Sequence, residues 1–372
     1  MTSVKKILIT GSSGYVGQHL LSTLARHGVT TTSTTRQYEV YCAYNSLSTF
    51  ESDLHQLCSE MLHPSIVKMT PFPLDFTTDI VSEIKSVSSG NIDVIIHLAA
   101  LSSPFYCESH ADEAWCINVP VKLLELNAPI VYMSTDQVYA GTKQYYKEED
   151  ETLPVNLYGR TKLAFERVLL QQLDGNSAEA PLLTKDELGD STLPSHLSAS
   201  KLKDLKQPHP PSVILRSSLI LGKPTPLAHG CKKGSFPSFM QFVQDRLQSN
   251  TETDYFTNEY RSMVHVRDVV KAILHFTKQA LTSKSEGEES GGVKIYNLGG
   301  SERVNRYELA VKIANHLKID GSCVKGVDRQ VDGGGVPSPP DISMNVDKLI
   351  KELGAERLDG LNDIIRSTFA LD

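Results

Sequence analysis

The sequence lacks the features that mark several large classes of protein. It has no CxxC pair, and no cysteine has a histidine nearby at metal-ligand spacing, so neither a disulfide scaffold nor a metal site is expected. No apolar run is long enough to cross a bilayer. The formal net charge of -7 provides no broad basic surface for nucleic acid. We therefore expect a soluble protein with a small-molecule partner, and reduced thiols at Cys42, Cys58, Cys107, Cys116, Cys231 and Cys323.

The composition that is present is typical of a globular protein, with 40% hydrophobic and 22% charged residues. A chain of 372 residues exceeds one typical hydrophobic core, which favours two lobes with a cleft between them. The chain enters a strand pattern at Lys6, so we expect neither a signal peptide nor a transit peptide, and we expect a cytoplasmic location.

Six short apolar runs predict the strands of a parallel sheet. Several are rich in Val and Ile and are separated by stretches of helical length, which is typical of a doubly wound, Rossmann-like α/β fold. The six predicted strands are Lys6–Thr10, Tyr38–Tyr44, Asp93–Leu98, Pro129–Ser134, Ser212–Ser217 and Val293–Leu298.

The remaining segments predict a second, smaller lobe. Residues 1–221 are predicted to form the dinucleotide-binding domain, with a flexible inserted loop at 175–211 that is rich in Ser, Lys, Asp and Pro. Residues 222–263 and 299–372 are predicted to form an α/β substrate-binding lobe, and residues 264–298 return to the first domain. Helical patterns occur at about 306–316 and 346–353 and again near the end of the chain.

A glycine-rich turn follows the first predicted strand. Gly11, Gly14 and Gly17 stand between that strand and a helical pattern. Glycines at such a turn allow a tight bend and a close approach of a pyrophosphate, while the helix N-terminus supplies N–H groups. We interpret the turn as a dinucleotide site rather than as a turn without a ligand, because it follows the first strand.

Tyr158 and Lys162 are four positions apart at the start of a predicted helix, and therefore on one face. A phenol has a pKa of about 10, so acid–base work near neutrality requires a neighbouring cation. Lys162 is a candidate for that cation. Such a pair is also common on solvated helices, and the interpretation depends on its context.

The third candidate site follows the predicted strand Pro129–Ser134. Ligands bind at the carboxyl ends of strands in doubly wound sheets, so a hydroxyl at Thr135 can donate to a substrate carbonyl. The alternative is that the hydroxyls there only terminate the strand. His97 and His265, each in an apolar context, receive no functional role.

These segments resemble the extended short-chain dehydrogenase/reductase family. The resemblance rests on ITGSSGYVGQHL, DVIIHLAALSSP, VYMSTDQVYAGT, NLYGRTKLAFE, VILRSSLILG and MVHVRDVVKAI. The stretches YKEEDETLPVNLYGRTKLAFE and PDISMNVDKLIKELG are similar to its dTDP-4-dehydrorhamnose reductase-like branch. That branch also contains the regulatory beta subunit of methionine adenosyltransferase.

The resemblance implies a role for individual residues. Tyr158 would be the proton donor, Lys162 would lower its pKa and hold the nicotinamide ribose, and Thr135 would polarise the substrate carbonyl. Asn118 would be structural. The residues implied at the cofactor are Gly11, Ser12, Ser13, Gly14, Tyr15, Val16, Gly17, Asp75, Ala99 and Ala100, together with Tyr158 and Lys162.

Two departures affect the cofactor and the substrate. Asn45 and Ser46, after the second predicted strand, supply neither the acid that selects NAD nor the arginine that favours NADP. Because no acid at this point would repel a 2′-phosphate, we expect NADP(H) with a slight preference over NAD(H), although Arg36 precedes that strand and is poorly placed to contact the phosphate. Gln137 follows Asp136, where related reductases carry Tyr and dehydratases carry Glu, which makes dehydration the less favoured chemistry. The candidate substrate residues are Asp136, Gln137 and Arg261.

The sequence leaves three functions open. The first is an NAD(P)H-dependent reductase of a nucleotide-linked 4-keto-deoxysugar. The second is a non-catalytic, NADP-binding regulatory subunit that docks onto a methionine adenosyltransferase. The third is a sugar-nucleotide epimerase. A homodimer is a possible assembly, and we expect no metal, nucleic-acid or membrane partner.

Overall fold

The structure is a computed structural model, and it describes residues 4–29, 36–45, 49–174, 181–198, 202, 210–227, 238–282, 292–330 and 335–370. Ser46 and Cys231 lie outside the described residues, as do parts of the predicted loop at 175–211. None of the described helices is long and apolar enough to cross a membrane.

The centre of the fold is a parallel sheet of seven strands in the order β11-β6-β5-β4-β1-β2-β3. This sheet confirms the predicted doubly wound α/β fold. Its strands are β1 (Lys5–Thr10), β2 (Tyr38–Tyr44), β3 (Ile66–Pro73), β4 (Val94–His97), β5 (Ile130–Thr135), β6 (Val213–Ser217) and β11 (Lys294–Leu298). Short strand pairs occur outside it, formed by β7 (Ile220–Leu221), β8 (Thr253–Phe256), β9 (Tyr260–Arg261), β10 (Val264–His265), β12 (Val304–Asn305) and β13 (Val324–Val327).

Helices cover both faces of the sheet and build the second lobe. They are α1 (Tyr15–His27), α2 (Phe50–Glu60), α3 (Ile80–Ser88), α4 (Pro104–Ser109), α5 (Ala111–Asn118), α6 (Leu157–Asp174), α7 (Lys185–Leu188), α8 (Phe239–Gln248), α9 (Val266–Thr282), α10 (Arg306–Leu317), α11 (Asp347–Leu353) and α12 (Leu361–Phe369). Short 3₁₀ helices lie at Val121–Leu126, Asp136–Val138 and Ser195–Leu197.

The two faces of the sheet belong to two separate apolar clusters. Helix α1 buries Leu20 and Leu24 on the face that also receives Ile273 of α9. Helix α6 buries Leu163 and Phe165 on the opposite face. Because successive strand side chains point to opposite faces, parallel strands covered by helices on both sides read as continuous apolar runs. This explains why these runs were visible in the sequence.

A third apolar cluster lies in the second lobe. It joins Val243 of α8, Ile313 of α10 and Ile364 of α12. The segments that meet here come from both of the ranges predicted for the substrate lobe. Leu349 of α11 instead belongs to the cluster beneath the main sheet. The segments of the second lobe therefore have a core of their own.

Two features of the fold differ from the sequence predictions. Strand β3 was missed because Pro71 and Pro73 interrupt its apolar pattern; proline is tolerated there because β3 is an edge strand. Residues 181–198, within the predicted inserted loop, differ from the expected surface position, because Leu182 and Leu183 are buried in the core; the predicted flexibility of the loop stays a prediction. Thr184 begins helix α7 with a capping box, which organises this segment locally.

Candidate active site at the carboxyl edge of the sheet

A cleft of about 910 Å³ opens where the central strands end and the second lobe begins. Its volume lies within the usual range for small-molecule sites. The residues that line it include the loop after β1, the ends of β4, β5 and β6, and the first turn of α6. Among the predicted site residues, the lining includes Gly11, Gly14, Tyr15, Val16, Gly17, Ala100, Thr135, Asp136, Gln137, Tyr158, Lys162 and Arg261.

The glycine loop has a backbone that other residues would disrupt. Gly11 has a φ of +70°, in the left-handed region that favours glycine. A Cβ atom on Gly17 would lie 2.4 Å from the carbonyl oxygen of Gly11. The Gly14 amide donates to that same carbonyl oxygen at 3.0 Å, immediately before α1 begins. The loop therefore brings bare backbone to a helix N-terminus beside the cleft, which fits a pyrophosphate.

The other residues expected around the cofactor are not part of the cleft lining. Ser12 is buried and ties the loop to the sheet, since its hydroxyl donates to Ile9 and its amide to Ala43. Asp75 is exposed, and hydrogen bonds from the amide and hydroxyl of Thr77 lower its pKa. The cofactor roles expected for Ser12 and Asp75, and likewise for Ser13 and Ala99, stay predictions.

Tyr158 and Thr135 meet at the floor of the cleft. Thr135 is the last residue of β5, and Tyr158 lies in the first turn of α6. Burial raises the pKa of the Tyr158 phenol, while a side-chain hydrogen bond with Thr135 opposes that increase. The Thr135 oxygen also accepts the Gln137 amide at 3.2 Å. The two hydroxyls are thus positioned together by a strand end and a helix start.

Lys162 lies one helical turn beyond Tyr158, and its side chain is 2% exposed. Its ammonium nitrogen is 4.3 Å from the centre of the Tyr132 ring. Burial lowers the pKa of Lys162 to about 7, and the Glu166 carboxylate opposes that decrease. The surrounding protein raises the pKa of the Tyr158 phenol. The role expected for Lys162 in lowering the pKa of Tyr158 therefore stays a prediction.

A buried charge pair behind Lys162 was missed by sequence reasoning. Glu166, one further turn along α6, accepts from the Arg216 guanidinium at 2.7 Å. The Ser134 hydroxyl donates to the same carboxylate at 2.5 Å, and Tyr139 contacts Arg216 at 2.9 Å. The only sequence signal was the four-residue spacing from Lys162 to Glu166. Its partner on β6 is 50 residues away in the chain.

Asn118 connects helix α5 to the active-site helix. Its amide nitrogen donates to the hydroxyl of Thr161 at 3.0 Å and to the carbonyl of Leu101 at 3.1 Å. Its carbonyl oxygen accepts the Leu101 amide at 2.8 Å. All of these contacts hold the loop after β4 against α6. The geometry is consistent with the structural role that the resemblance implies.

Asp136 and Gln137 differ in what they present to the cleft. Asp136 is buried, and burial raises its pKa to about 6, although the positive charge of Arg261 acts to lower it. Its Oδ2 atom has no hydrogen-bond partner among the described residues. The Gln137 side-chain oxygen instead accepts from Asn156 at 2.8 Å. Gln137 is thus held by the residue that precedes α6.

Three arginines from the second lobe line the opposite wall of the cleft, and sequence reasoning identified only one of them. Arg261 is buried and donates to the Tyr260 carbonyl. Arg306 and Arg329 contact the two carboxylate oxygens of buried Glu259, at 2.7 and 3.1 Å. The charge of these guanidinium groups is balanced in part by Glu259 and by Asp136, whose raised pKa the Arg261 charge opposes. Such a surface can bind a phosphorylated group.

The two histidines without an assigned role have different surroundings. His97 is fully buried; its Nδ1 is 2.7 Å from the Thr10 hydroxyl, and burial lowers its pKa. His265 lies 2.5 Å from a carboxylate oxygen of Asp359. Neither histidine lines the cleft described above.

Comparison with known proteins gives this arrangement a context. Residues 5–177 match the family described as the RmlD substrate binding domain. Methionine adenosyltransferase 2 subunit beta of Xenopus laevis is 26% identical over 267 residues, 69% of this chain and 64% of that protein. The Bos taurus protein of the same name is 22% identical over 331 residues, 87% of this chain and 75% of that protein. The chain thus spans slightly less than two thirds of the Xenopus relative.

Solved structures show the same fold. A hypothetical dTDP-4-dehydrorhamnose reductase from Sulfolobus tokodaii superposes with a TM-score of 0.62 at 24% identity, over 96% of this chain and 98% of that one. The UDP-glucose 4-epimerase of Bifidobacterium longum, in complex with NAD+ and UDP, gives a TM-score of 0.67 at 19% identity, over 98% and 96% of the two chains.

Proposed function

We propose that this protein is an NAD(P)H-dependent reductase of a nucleotide-linked 4-keto-deoxysugar, and the match of residues 5–177 to the RmlD substrate binding domain family supports the proposal. The observation that carries the proposal is the pair of hydroxyls of Thr135 and Tyr158. They stand together at the end of β5, in one cleft with the glycine loop and the arginine wall.

The glycine loop is the proposed cofactor site. Gly11, Gly14 and Gly17 would hold the pyrophosphate, and Lys162 would hold the nicotinamide ribose. The reduced nicotinamide would supply the hydride. The exposed Asn45 at the end of β2 presents no carboxylate against a 2′-phosphate, which supports a slight preference for NADP(H). Arg36 donates to the Leu281 carbonyl at 3.3 Å, and we assign it no part in that preference.

The arginine wall is the proposed substrate site. Arg261, Arg306 and Arg329 would face the diphosphate of the nucleotide-sugar, since planar guanidinium groups bind phosphate oxygens in pairs. Phe239 and Phe256 also line the cleft, beside Arg306 and Arg329 respectively. Their rings would stack on the nucleotide base.

The proposed chemistry adds a hydride to the keto carbon and a proton to its oxygen. The hydroxyls of Thr135 and Tyr158 would hold the keto oxygen, and the Tyr158 O–H bond would break as that oxygen becomes a hydroxyl. The phenolate left behind would regain a proton from solvent. Lys162, whose own pKa is about 7, would stabilise that phenolate at pH values where it is charged.

The test is NADPH and NADH oxidation with dTDP-4-dehydro-6-deoxy-L-mannose. We expect turnover with the native protein, and a decrease of about 100-fold or more in Tyr158→Phe, since the variant lacks the transferred proton. Tyr145→Phe is the control, because Tyr145 is 49% exposed and outside the cleft lining. Undiminished turnover in Tyr158→Phe would exclude the proposed mechanism. Sugar interconversion without net cofactor consumption would instead identify an epimerase.

A second candidate function is a non-catalytic, NADP-binding subunit of a methionine adenosyltransferase. It is favoured by the similarity to methionine adenosyltransferase 2 subunit beta, which extends over 87% of this chain for the Bos taurus protein. Stable co-purification with a methionine adenosyltransferase catalytic subunit, without sugar reduction, would support this candidate. Absence of binding at micromolar concentrations would exclude it.

A further inference from the structure

A second cavity lies outside the active-site cleft, between helices α1 and α9. Its volume is about 680 Å³, which again lies in the range of small-molecule sites. Val29, Val266 and Val270 are buried residues that contribute apolar surface to its lining. The cavity is therefore large enough for a nucleoside-sized body, and part of its wall is apolar.

The charged residues that line this cavity are all basic. They are Lys223, Arg267, Lys271 and Lys278, and four histidines join them, His19, His27, His265 and His275. No carboxylate belongs to the described lining, although the whole chain carries a net charge of -7. Positive charge is thus concentrated in this cavity although the chain as a whole is negative, and it would attract an anion.

Two carboxylates near the lining neutralise only part of this positive charge. Asp359 accepts from His265 and from Arg267, at 2.5 and 2.6 Å. Glu352 contacts His275 at 3.2 Å. Neither carboxylate pairs with the ammonium groups of Lys271 and Lys278 on α9.

Lys271 and Lys278 are exposed on α9, and within the described chain no carboxylate lies within ion-pair distance of either. The one acid of this helix, Asp268, is buried and accepts the Asp359 amide. Arg267 and Lys271 are a like-charged pair four residues apart, which destabilises a helix. A bound anion would offset that repulsion.

From these observations we infer that this cavity binds a small phosphorylated ligand, with the phosphate held by Lys271 and Lys278 and an apolar body against the valines. The site borders the cofactor cleft: the Lys223 carbonyl accepts the Tyr15 hydroxyl at 2.9 Å and lies 3.2 Å from the His19 imidazole. Tyr15 lines the first cleft and His19 lines the second. The inference does not depend on the reaction proposed above.

The experiment follows histidine side-chain NMR signals of the full chain, labelled at histidine, during titration with inorganic pyrophosphate, ADP or adenosine. The imidazoles of His19 and His265 line this cavity and not the active-site cleft. The His19 ring lies 5.0 Å from the ring of Tyr15, which lines that cleft, so the lysine double variant described next is what separates binding at the two sites. We expect saturable shifts with pyrophosphate and ADP, and none with adenosine.

The variant Lys271→Gln/Lys278→Gln should weaken both ligands at this site by about tenfold or more, since two charge-assisted contacts are removed. Lys85→Gln/Lys351→Gln is the matched control, because both of its lysines are exposed and outside the described cavities. Tighter binding of ADP than of pyrophosphate would show that the nucleoside adds to the affinity through the valines. Equal binding would show that the cavity recognises the phosphate groups alone. Absence of shifts at millimolar ligand, shifts with adenosine, or unchanged affinity in the double variant would overturn the inference.

Discussion

The carboxylate of Glu166 lies 2.7 Å from the guanidinium of Arg216, and both side chains are buried where helix α6 covers the sheet. The pair ties the helix that carries Tyr158 and Lys162 to strand β6. A buried ion pair need not stabilise a protein relative to apolar residues, but removal of one partner leaves an uncompensated buried charge. Its effect on the site is therefore to fix the position of α6.

Removal of either partner should destabilise the protein strongly. We expect Glu166→Ala and Arg216→Ala each to reduce the free energy of unfolding by about 3–5 kcal/mol, and the double variant to lose less than the sum. Urea denaturation measures these values. Lys143→Ala is the control, because its ion pair with Asp150 is half exposed and should contribute about 1 kcal/mol or less. Additive losses in the double variant would contradict the pairing.

Replacement of Lys162 should change how stability depends on pH. The pKa of Lys162 is about 7 in the folded protein and about 10.4 when unfolded. Between these values the unfolded chain binds more protons, so the contribution of Lys162 to stability rises with pH and is least favourable below pH 7. We expect Lys162→Met to be more stable than the native protein at pH 6, by up to about 4 kcal/mol, with the difference shrinking towards pH 10. Thermal and urea unfolding at several pH values test this, and a gain that does not vary with pH would contradict it.

Asp136 should show the opposite dependence. Its pKa is about 6 in the folded protein and about 3.9 when unfolded. In that window the folded state binds more protons, so stability falls as pH rises, and the full penalty applies above pH 6. We expect Asp136→Asn to stabilise the protein at pH 8 by up to about 3 kcal/mol, and not at pH 4. The same unfolding series measures it, and a stabilisation that is larger at pH 4 would refute the assignment.

The glycine loop should not tolerate a side chain at Gly17. A methyl group there would lie 2.4 Å from the Gly11 carbonyl oxygen, so the loop must shift away from the position proposed for the pyrophosphate. We expect Gly17→Ala to weaken NADPH binding by about tenfold or more, as measured by calorimetry. Gly321→Ala is the control, because its Cβ would meet only Ala314 at an ordinary 3.5 Å. Equal affinity in both variants would exclude the loop as the cofactor site.

Much of the fold could be predicted from local pattern. The observed boundaries of Tyr38–Tyr44 are those predicted, and the other five predicted strands differ from the observed ones by a single residue at one or both ends. The prediction succeeds because buried parallel strands are continuous apolar runs. Edge strand β3 lacks such a run, and it was missed. Within 181–198, Leu182 and Leu183 are an apolar pair in a segment with little periodicity, and only packing shows that they are buried.

The sequence by itself determined the doubly wound sheet, the glycine turn, and the placement of Thr135 and Tyr158 at a strand end and a helix start. Each of these depends on neighbours within a few positions, where spacing fixes which residues share a face. Only the tertiary structure brought Glu166 to Arg216 and gathered Arg306 and Arg329 around Glu259, because these partners are 47 to 70 residues apart in the chain. Contacts at that separation, and the burial that sets the pKa of each group, arise only when distant elements pack together.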